Sequence, residues 1–233
     1  MRLFPMLRLT AAAAFLLTAA CADTSEIDTK PAAEVKPAAV EEKPAADAAP
    51  AADAAPAADA APAGDTWSLV PDVSSIAYLG AKVTATHAGG FKTISGSAVT
   101  KDGAPVSAEF AVDMTTLWAD KPDAEAGTGP FKLTGHLKSP DFFDVANHAK
   151  ASFTSTKIEA AEGENAYTVT GNLTIVGKTN EITFPATITV GDQIKAKADF
   201  QINRHDWGIS YPGKPDDLIK DEFGITVDVT LGK

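Results

Sequence analysis

The sequence predicts an all-β fold, an antiparallel closed barrel of eight strands or slightly more with one short helix. After residue 65, apolar residues recur at every second position in successive segments, as in strands with one buried face. Short turn sequences separate these segments, which predicts antiparallel neighbours. Eight or nine one-sided strands can form a sandwich or a barrel, and barrel closure removes exposed edges and encloses room for a small ligand.

The individual elements follow from these patterns. Clear alternation predicts strands at 107–114, 167–175, 182–190, 194–202 and 223–231. Weaker patterns predict further strands at 66–71, 75–86, 91–100 and 150–159. Residues typical of hairpins lie at 101–103, 177–180 and 191–192. The segment 138–148 predicts the brief helix, with Ser139 or Asp141 as its cap.

Residues 1–21 have the composition of an export signal. Arg2 and Arg8 precede a short apolar run, which is followed by small residues and the only cysteine, Cys21. The end of this segment is similar to a bacterial lipobox, although Thr18 stands where an aliphatic residue is usual. We expect cleavage before Cys21 and lipid attachment to it. The alternative is cleavage nearby that releases a soluble periplasmic protein.

The next segment, 22–65, contains no aromatic residue and carries three copies of AADAAP at 45–62. A proline every six residues prevents helix propagation, and the repeated aspartates repel one another. This composition predicts a disordered tether between the anchor and a barrel domain at 66–233. Ala22 directly after Cys21 resembles a sorting signal for the outer membrane, so we expect a membrane-anchored lipoprotein that faces the periplasm.

Charge and composition limit the partners of the barrel domain. It carries 15 basic and 21 acidic residues, which makes nucleic acid an unsuitable partner. One cysteine cannot form an intramolecular disulfide, and the four histidines have no metal-ligand spacing. We therefore expect no metal and no catalytic cofactor. The oligomeric state stays open, with a dimer as one possibility.

The inward-facing positions mix large and small residues. Phe110, Phe184, Phe200 and Phe223 share the apolar phase of their strands with several alanines and a glycine. Small residues opposite aromatic rings can interdigitate into a solid core or leave an apolar void. A void would accept an apolar, uncharged ligand. A solid barrel would instead serve as an envelope scaffold or interaction module, and both interpretations stay open.

Four segments resemble the YceI-like family. They are the start of the domain at 66–103, HLKSPDFFDV at 136–145, GNLTIVGKTNEITF at 171–184 and FQINRHDWGI at 200–209. The resemblance covers nearly all of the barrel domain. It implies a lipocalin-like barrel that binds a polyisoprenoid chain or a similar amphiphile in a tunnel, without catalysis. The implied function is binding, transport or storage of an isoprenoid-type or quinone-like lipid in the cell envelope.

The expected tunnel lining combines inward-facing strand residues with the phenylalanine pair of the short helix. These residues are Phe110, Val112, Phe142, Phe143, Phe153, Leu173, Ile175, Phe184, Ala198, Phe200 and Phe223. At the mouth we expect His87, Trp207 and Tyr211, where amphipathic rings suit a boundary between water and an apolar interior. A polar head group of the ligand would lie beside them.

A less favoured alternative is a hydrolase or isomerase that uses His205 and Asp206 as an acid–base pair. No serine or cysteine nucleophile lies in a recognisable motif beside them, so we assign no catalytic residue. We expect this cluster to be structural, with Asp206 accepting backbone hydrogen bonds. In this interpretation Arg204 pairs with Asp141 or Asp144.

Overall fold

The computed structural model describes residues 25–38 and 63–233. Within these ranges the chain forms two helices and fourteen strands, twelve of which belong to one sheet. None of these helices is long and apolar enough to span a bilayer. In chain order the elements are α1 (Ser25–Asp28), β1 (Glu34–Pro37), β2 (Asp65–Leu69), β3 (Ser75–Lys82), β4 (Ala85–Phe91), β5 (Ile94–Lys101), β6 (Ala104–Asp113), β7 (Leu117–Ala119), α2 (Gly129–Lys138), β8 (Lys150–Ala160), β9 (Ala166–Ile175), β10 (Lys178–Val190), β11 (Ile194–Asn203), β12 (Gly213–Lys214), β13 (Asp217–Leu218) and β14 (Glu222–Gly232).

The barrel is closed because β11 pairs with both β10 and β14. The ring runs β10, β9, β8, β6, β5, β2, β14 and β11, and all neighbours are antiparallel. A branch leaves this ring where β3 pairs with β14 and continues to β4 and β7. Helix α2 lies against β7. The eight-stranded barrel is therefore confirmed, with extra strands.

Tight turns connect the strands as the sequence predicts, although one turn is displaced. Asp102 and Gly103 both have positive φ, at 53° and 78°, as a two-residue hairpin turn of type I′ requires. The turn predicted at 177–180 instead uses Val176 and Gly177, with φ of 50° and 69°. The strand after it begins earlier than predicted, because its first residue already pairs with β9.

The single strand predicted at 75–86 is a hairpin. Strand β3 ends at Lys82 and β4 begins at Ala85. A distant carboxylate stabilises the turn, since Asp217 accepts hydrogen bonds from the Thr84 amide at 3.2 Å and from its hydroxyl at 2.9 Å. Apolar alternation alone could not reveal this long-range contact.

The short helix lies immediately before the predicted segment 138–148. Pro130 occupies the first turn of α2, where its missing N–H costs nothing. Pro140 disfavours a helical conformation at Ser139, which is extended and ends the helix. The following residues form consecutive turns, with the amides of Phe142 and Asp144 donating to the Ser139 carbonyl. The predicted helix position, 138–148, is therefore wrong, because the helix ends at Lys138.

The N-terminal residues 25–38 are packed on the barrel. Strand β1 pairs antiparallel with β10, and α1 lies against β3 and β14. Two of the few large aliphatic residues in this part of the chain account for the docking, because Ile27 is fully buried and Val35 packs on the core. The prediction of a disordered tether is wrong for these residues. Residues 39–62 and 1–24, with Cys21, lie outside the described residues.

Candidate functional site

The barrel encloses a cavity of about 180 Å³. Its wall is formed by inward-facing side chains of the ring strands other than β2, together with residues of β3 and β4. Ten of the eleven residues predicted to line a tunnel lie on this wall, namely Phe110, Val112, Phe143, Phe153, Leu173, Ile175, Phe184, Ala198, Phe200 and Phe223. Alternation along the strands thus brings together residues from six strands and one loop.

Three phenylalanine rings form the most crowded part of the wall. The rings of Phe184 and Phe200, on adjacent strands, are stacked with centroids 4.3 Å apart and an interplanar angle of 16°. Phe153 packs on Phe184 at 5.6 Å in a tilted arrangement. Aromatic contacts of this kind stabilise the barrel beyond simple burial of area.

Two glycines receive aromatic rings on the inner wall. A methyl group at Gly96 would lie 2.3 Å from Cδ1 of Phe110, and one at Gly171 would lie 2.5 Å from Cζ of Phe153. Each ring therefore lies against bare backbone of the neighbouring strand. This keeps the two rings close to the wall and leaves the space in front of them open.

Substitution of Gly171 by alanine should lower the free energy of unfolding by about 1–3 kcal/mol, as overpacking typically does. The added methyl group would collide with the Phe153 ring and with the Thr154 carbonyl, which is also 2.5 Å away. Urea unfolding measures the effect. Gly135→Ala in α2 is the matched control, since no atom lies within 4 Å of the new methyl group. Equal unfolding midpoints for the two variants would contradict this account.

The cavity wall is predominantly apolar, and its lysine and tyrosine direct their polar groups elsewhere. Lys197 contributes to the wall, but its ammonium pairs with Asp228 at 2.8 Å and its side chain is 68% exposed. The Tyr78 hydroxyl donates to the Trp118 carbonyl at 2.9 Å. Burial, with a smaller contribution from Asp120, raises the pKa of Tyr78 above its usual range, so the phenol stays neutral. An ionised ligand group inside this space would have no partner.

The phenylalanine pair Phe142 and Phe143 has its rings on opposite sides of the chain. Phe143 lines the cavity and contacts both hydrophobic clusters of the core. Phe142 does not line the cavity. Its ring packs edge-on against His136 at 5.0 Å and in a tilted arrangement against Tyr211 at 5.4 Å, in an aromatic trio at the C-terminal end of α2. Phe143 therefore lines the cavity, whereas Phe142 packs outside its wall.

The structure does not bring the three predicted mouth residues together. Trp207 is 2% exposed, and its indole N–H donates to the Leu173 carbonyl at 3.1 Å. It is a core residue, not a residue at a boundary with water. His87 pairs with Asp120 at 2.9 Å, and Tyr211 belongs to the aromatic trio. None of the three lies on the cavity wall.

Further residues of the wall escaped sequence-based reasoning. They lie on the β3–β4 branch and at the end of β6, and include Tyr78, Phe91 and Met114. A correct placement of the β3–β4 turn would have assigned Ile76 and Tyr78 to one face. Met114 shares the apolar phase of Phe110 and Val112 in the predicted strand 107–114, although it lies in a 3-10 turn after the observed strand.

The polar cluster after β11 joins the following loop to the barrel end, and its partners differ from the expected ones. The Arg204 side chain is 6% exposed, and its guanidinium pairs with Asp221 at 3.1 Å. The predicted partners Asp141 and Asp144 are therefore wrong. The same guanidinium donates to main-chain carbonyls of the following loop, at Ile209, Tyr211, Ile219 and Lys220.

His205 and Asp206 do not form the acid–base pair considered from the sequence. His205 Nε2 lies 2.8 Å from the Asp221 carboxylate. Its hydrogen bond lowers the pKa of Asp221 against a smaller opposing effect of desolvation. Asp206 contributes its backbone carbonyl, which accepts from the Asn180 side chain at 2.9 Å. These contacts fix the loop to the barrel end.

Known proteins share this fold. BcnA of Burkholderia cenocepacia is 23% identical, with a TM-score of 0.56 over 70% of this chain and 98% of that one. A polyisoprenoid binding domain from Saccharophagus degradans is 15% identical, with a TM-score of 0.56 over 71% of this chain and 97% of that one. At these identities the likeness concerns the fold alone.

Curated relatives are closer in sequence. The UPF0312 protein of Pseudomonas fluorescens (strain SBW25) is 33% identical over 134 residues, which are 54% of this chain and 65% of that protein. The relative from Pseudomonas putida (strain W619) is 31% identical over the same length. The chain thus spans just under two thirds of these relatives. The YceI-like domain matches residues 67–231, which include the whole barrel except the first residues of β2 and the end of β14. The chain therefore belongs to the YceI-like domain family.

Proposed function

We propose that the protein is a non-enzymatic carrier that holds the apolar chain of an isoprenoid-type lipid, or of a similar amphiphile, inside its barrel. The observation that carries this proposal is the cavity of about 180 Å³ with its apolar wall. Removal of an apolar chain from water contributes about 25 cal/mol per Å² of buried area. The name of the Saccharophagus degradans neighbour as a polyisoprenoid binding domain supports the same ligand class.

The wall also limits the chemistry of the ligand. Its charged member, Lys197, is turned to the outside, and its tyrosine hydroxyl is bonded to backbone. The part of the ligand within the cavity is therefore neutral and largely apolar. Its polar head lies outside the cavity. Transport or storage, rather than turnover, is the activity that such a site supports.

Mass spectrometry of the protein purified without organic solvent tests the proposal. We expect one lipid per chain, released by organic extraction and carrying the fragmentation pattern of a prenyl chain. A delipidated sample should take up retinol, an isoprenoid alcohol whose fluorescence rises in apolar surroundings. A protein that carries no lipid and takes up no retinol would support the packed scaffold instead.

We further propose that the protein is exported and lipidated at Cys21, in the outer membrane and facing the periplasm. The export-type segment at 1–21 supports this proposal. Since α1 begins at Ser25, only three residues separate the anchor from the docked segment. The barrel would then lie close to the membrane surface.

Substitution of Cys21 by serine should abolish acylation and release the protein from the membrane fraction, because a serine cannot form the thioether. Globomycin treatment of the unaltered protein should block the next step, cleavage before the lipid-modified Cys21. Membrane fractionation and intact mass measure both effects. A Cys21→Ser protein that is processed normally and stays with the membrane would disprove lipid anchoring at this residue.

A further inference from the structure

The barrel wall is split along the seam between β10 and β11. These strands pair from Ala186 opposite Ala198 up to the hairpin turn. Continued pairing would place Thr183 opposite Gln201, but the two strands separate before this point. The pairing ends beside Pro185, which has no N–H to donate.

The N-terminal segment fills the gap. On one side, β1 pairs with β10 over four residues, with Glu34 opposite Thr183. On the other side, the Ala33 amide donates to the Gln201 carbonyl at 2.9 Å, and the Gln201 amide donates to the Pro31 carbonyl at 2.9 Å. Residues 31–37 therefore lie within the wall and satisfy backbone groups of both separated strands.

This inserted strand faces the cavity. Val35 is directly opposite Ile182, so both side chains point to the same face, and Ile182 lies on the cavity wall. Val35 packs against the core of the barrel. At the upper end of the split, Phe184 and Phe200 stack across the two strands. Withdrawal of β1 would thus open a slot that leads directly to apolar lining residues.

We propose that the seam between β10 and β11 is a lateral portal through which the lipid chain enters the cavity, and that residues 30–37 are its removable closure. This inference rests on the carrier function proposed above. A slot along the wall admits a long chain sideways, without threading it through one end of the barrel.

The closure is held by few contacts compared with the strands around it. It makes four residue pairs with β10, whereas β9 makes ten with the same strand. Asp28 pairs with Lys220 at the surface, and exposed ion pairs of this kind contribute little to stability. Lys30, whose side chain is 9% exposed, pairs with Asp199, which is 51% exposed. Ile27 and Val35 supply the apolar contacts, so the segment can detach while the barrel stays folded.

The chain geometry adds a reason for this arrangement. The closure follows the proposed lipid anchor by a few residues, so an anchored protein would hold the seam beside the membrane. A detached closure would expose Ile182 and Phe200 toward the lipid phase, and not toward bulk water.

Native-state hydrogen exchange tests the removable closure without any ligand. The amides of Ala33 and Gln201, which join the closure to β11, should exchange on the order of 100-fold faster than the slowest amides of β9. Equal rates would mean that the seam opens only when the barrel unfolds, and would overturn the proposal.

A reversible disulfide between the closure and β10 tests the portal itself. Lys36 and Glu181 are directly opposite and outside the cavity wall, so a Lys36→Cys/Glu181→Cys pair can form a disulfide across the seam. The chain also carries Cys21→Ser, which leaves the two engineered thiols alone. Oxidation should slow retinol association on the order of tenfold or more, with unchanged affinity at equilibrium, and reduction should restore it.

The control is a disulfide between two neighbouring strands, β5 and β6, that are paired with each other directly. Ser97 and Glu109 are opposite residues of β5 and β6, and a Ser97→Cys/Glu109→Cys disulfide should leave the association rate unchanged. Equal rates of retinol association for the oxidised and reduced forms of the Lys36→Cys/Glu181→Cys variant would refute the portal. A protein that binds no retinol in any form would refute the carrier function, while the exchange rates of Ala33 and Gln201 would still decide whether the closure detaches.

Discussion

Replacement of Ala198 by phenylalanine should nearly abolish retinol binding and leave the stability of the empty barrel almost unchanged. Ala198 lies in the middle of β11, on the cavity wall, directly opposite Ala186 and Val227 of the flanking strands. The new ring would project into the cavity from the middle of its wall and take up space that the ligand chain needs.

The expected loss of affinity is on the order of 100-fold, which corresponds to about 2.8 kcal/mol. Stability responds differently, because overpacking of a filled core costs about 1–3 kcal/mol whereas a ring placed in an existing void costs less. Urea unfolding of the delipidated protein and retinol titration of the same sample separate the two quantities.

Thr187→Phe is the matched control for this variant. Thr187 is exposed on β10, next in sequence to the residue opposite Ala198, and its side chain points away from the cavity. This variant should bind retinol as the unaltered protein does. If Ala198→Phe strongly destabilised the barrel and left retinol uptake unchanged, the interior would behave as a packed core and the scaffold alternative would gain support.

Local alternation predicted most of the cavity wall. The face of each strand residue follows from the two-residue period, whichever strand becomes its neighbour. Phe110, Phe184, Phe200 and Phe223 therefore reach the interior as the sequence indicates. The choice between a void and a solid core was not predictable in this way. It depends on Gly96 and similar positions, where a ring from the neighbouring strand finds room against the wall.

Contacts between distant segments account for the incorrect predictions. Docking of residues 25–38 needs a free strand edge, and that edge exists only because Pro185 ends the pairing of β10 with β11. The amino-acid composition of residues 25–38 does not indicate that such an edge exists. The pairing of Arg204 with Asp221 likewise depends on a loop that folds back over the end of the barrel, which no local pattern specifies.

Substitution of Arg204 by methionine should lower the free energy of unfolding by about 1–3 kcal/mol, the cost of leaving buried hydrogen-bond acceptors without a donor. The buried guanidinium donates at 3.0 Å to the Ile209 carbonyl, at 2.9 Å to Tyr211 and at 3.1 Å to Lys220. Methionine fills a similar volume but leaves these acceptors without a donor. Arg204→Lys should recover little of the lost free energy of unfolding, since one ammonium cannot replace the several N–H donors of the planar guanidinium.

Acid should weaken the same loop in the unaltered protein. The hydrogen bond from His205 is the main cause that lowers the pKa of Asp221, and Arg204 adds to it. A carboxylate with a lowered pKa stabilises the fold above its ordinary pKa, and this contribution is lost as the pH falls through the lowered value. The unfolding midpoint should therefore fall on acidification below about pH 4. In Asp221→Asn this part of the pH dependence should be absent.

Lys197→Met is the matched control, because it measures how the loss of an exposed positive charge changes the free energy of unfolding. Lys197 pairs with Asp228, and the two side chains are 68% and 49% exposed, so the expected cost is below about 1 kcal/mol. The difference between the two methionine variants isolates the burial of Arg204, because each removes one positive charge from one ion pair. Similar unfolding midpoints for both would mean that the carbonyls of Ile209, Tyr211 and Lys220 are hydrated without Arg204. The loop after β11 would then need some other contact to hold it on the barrel.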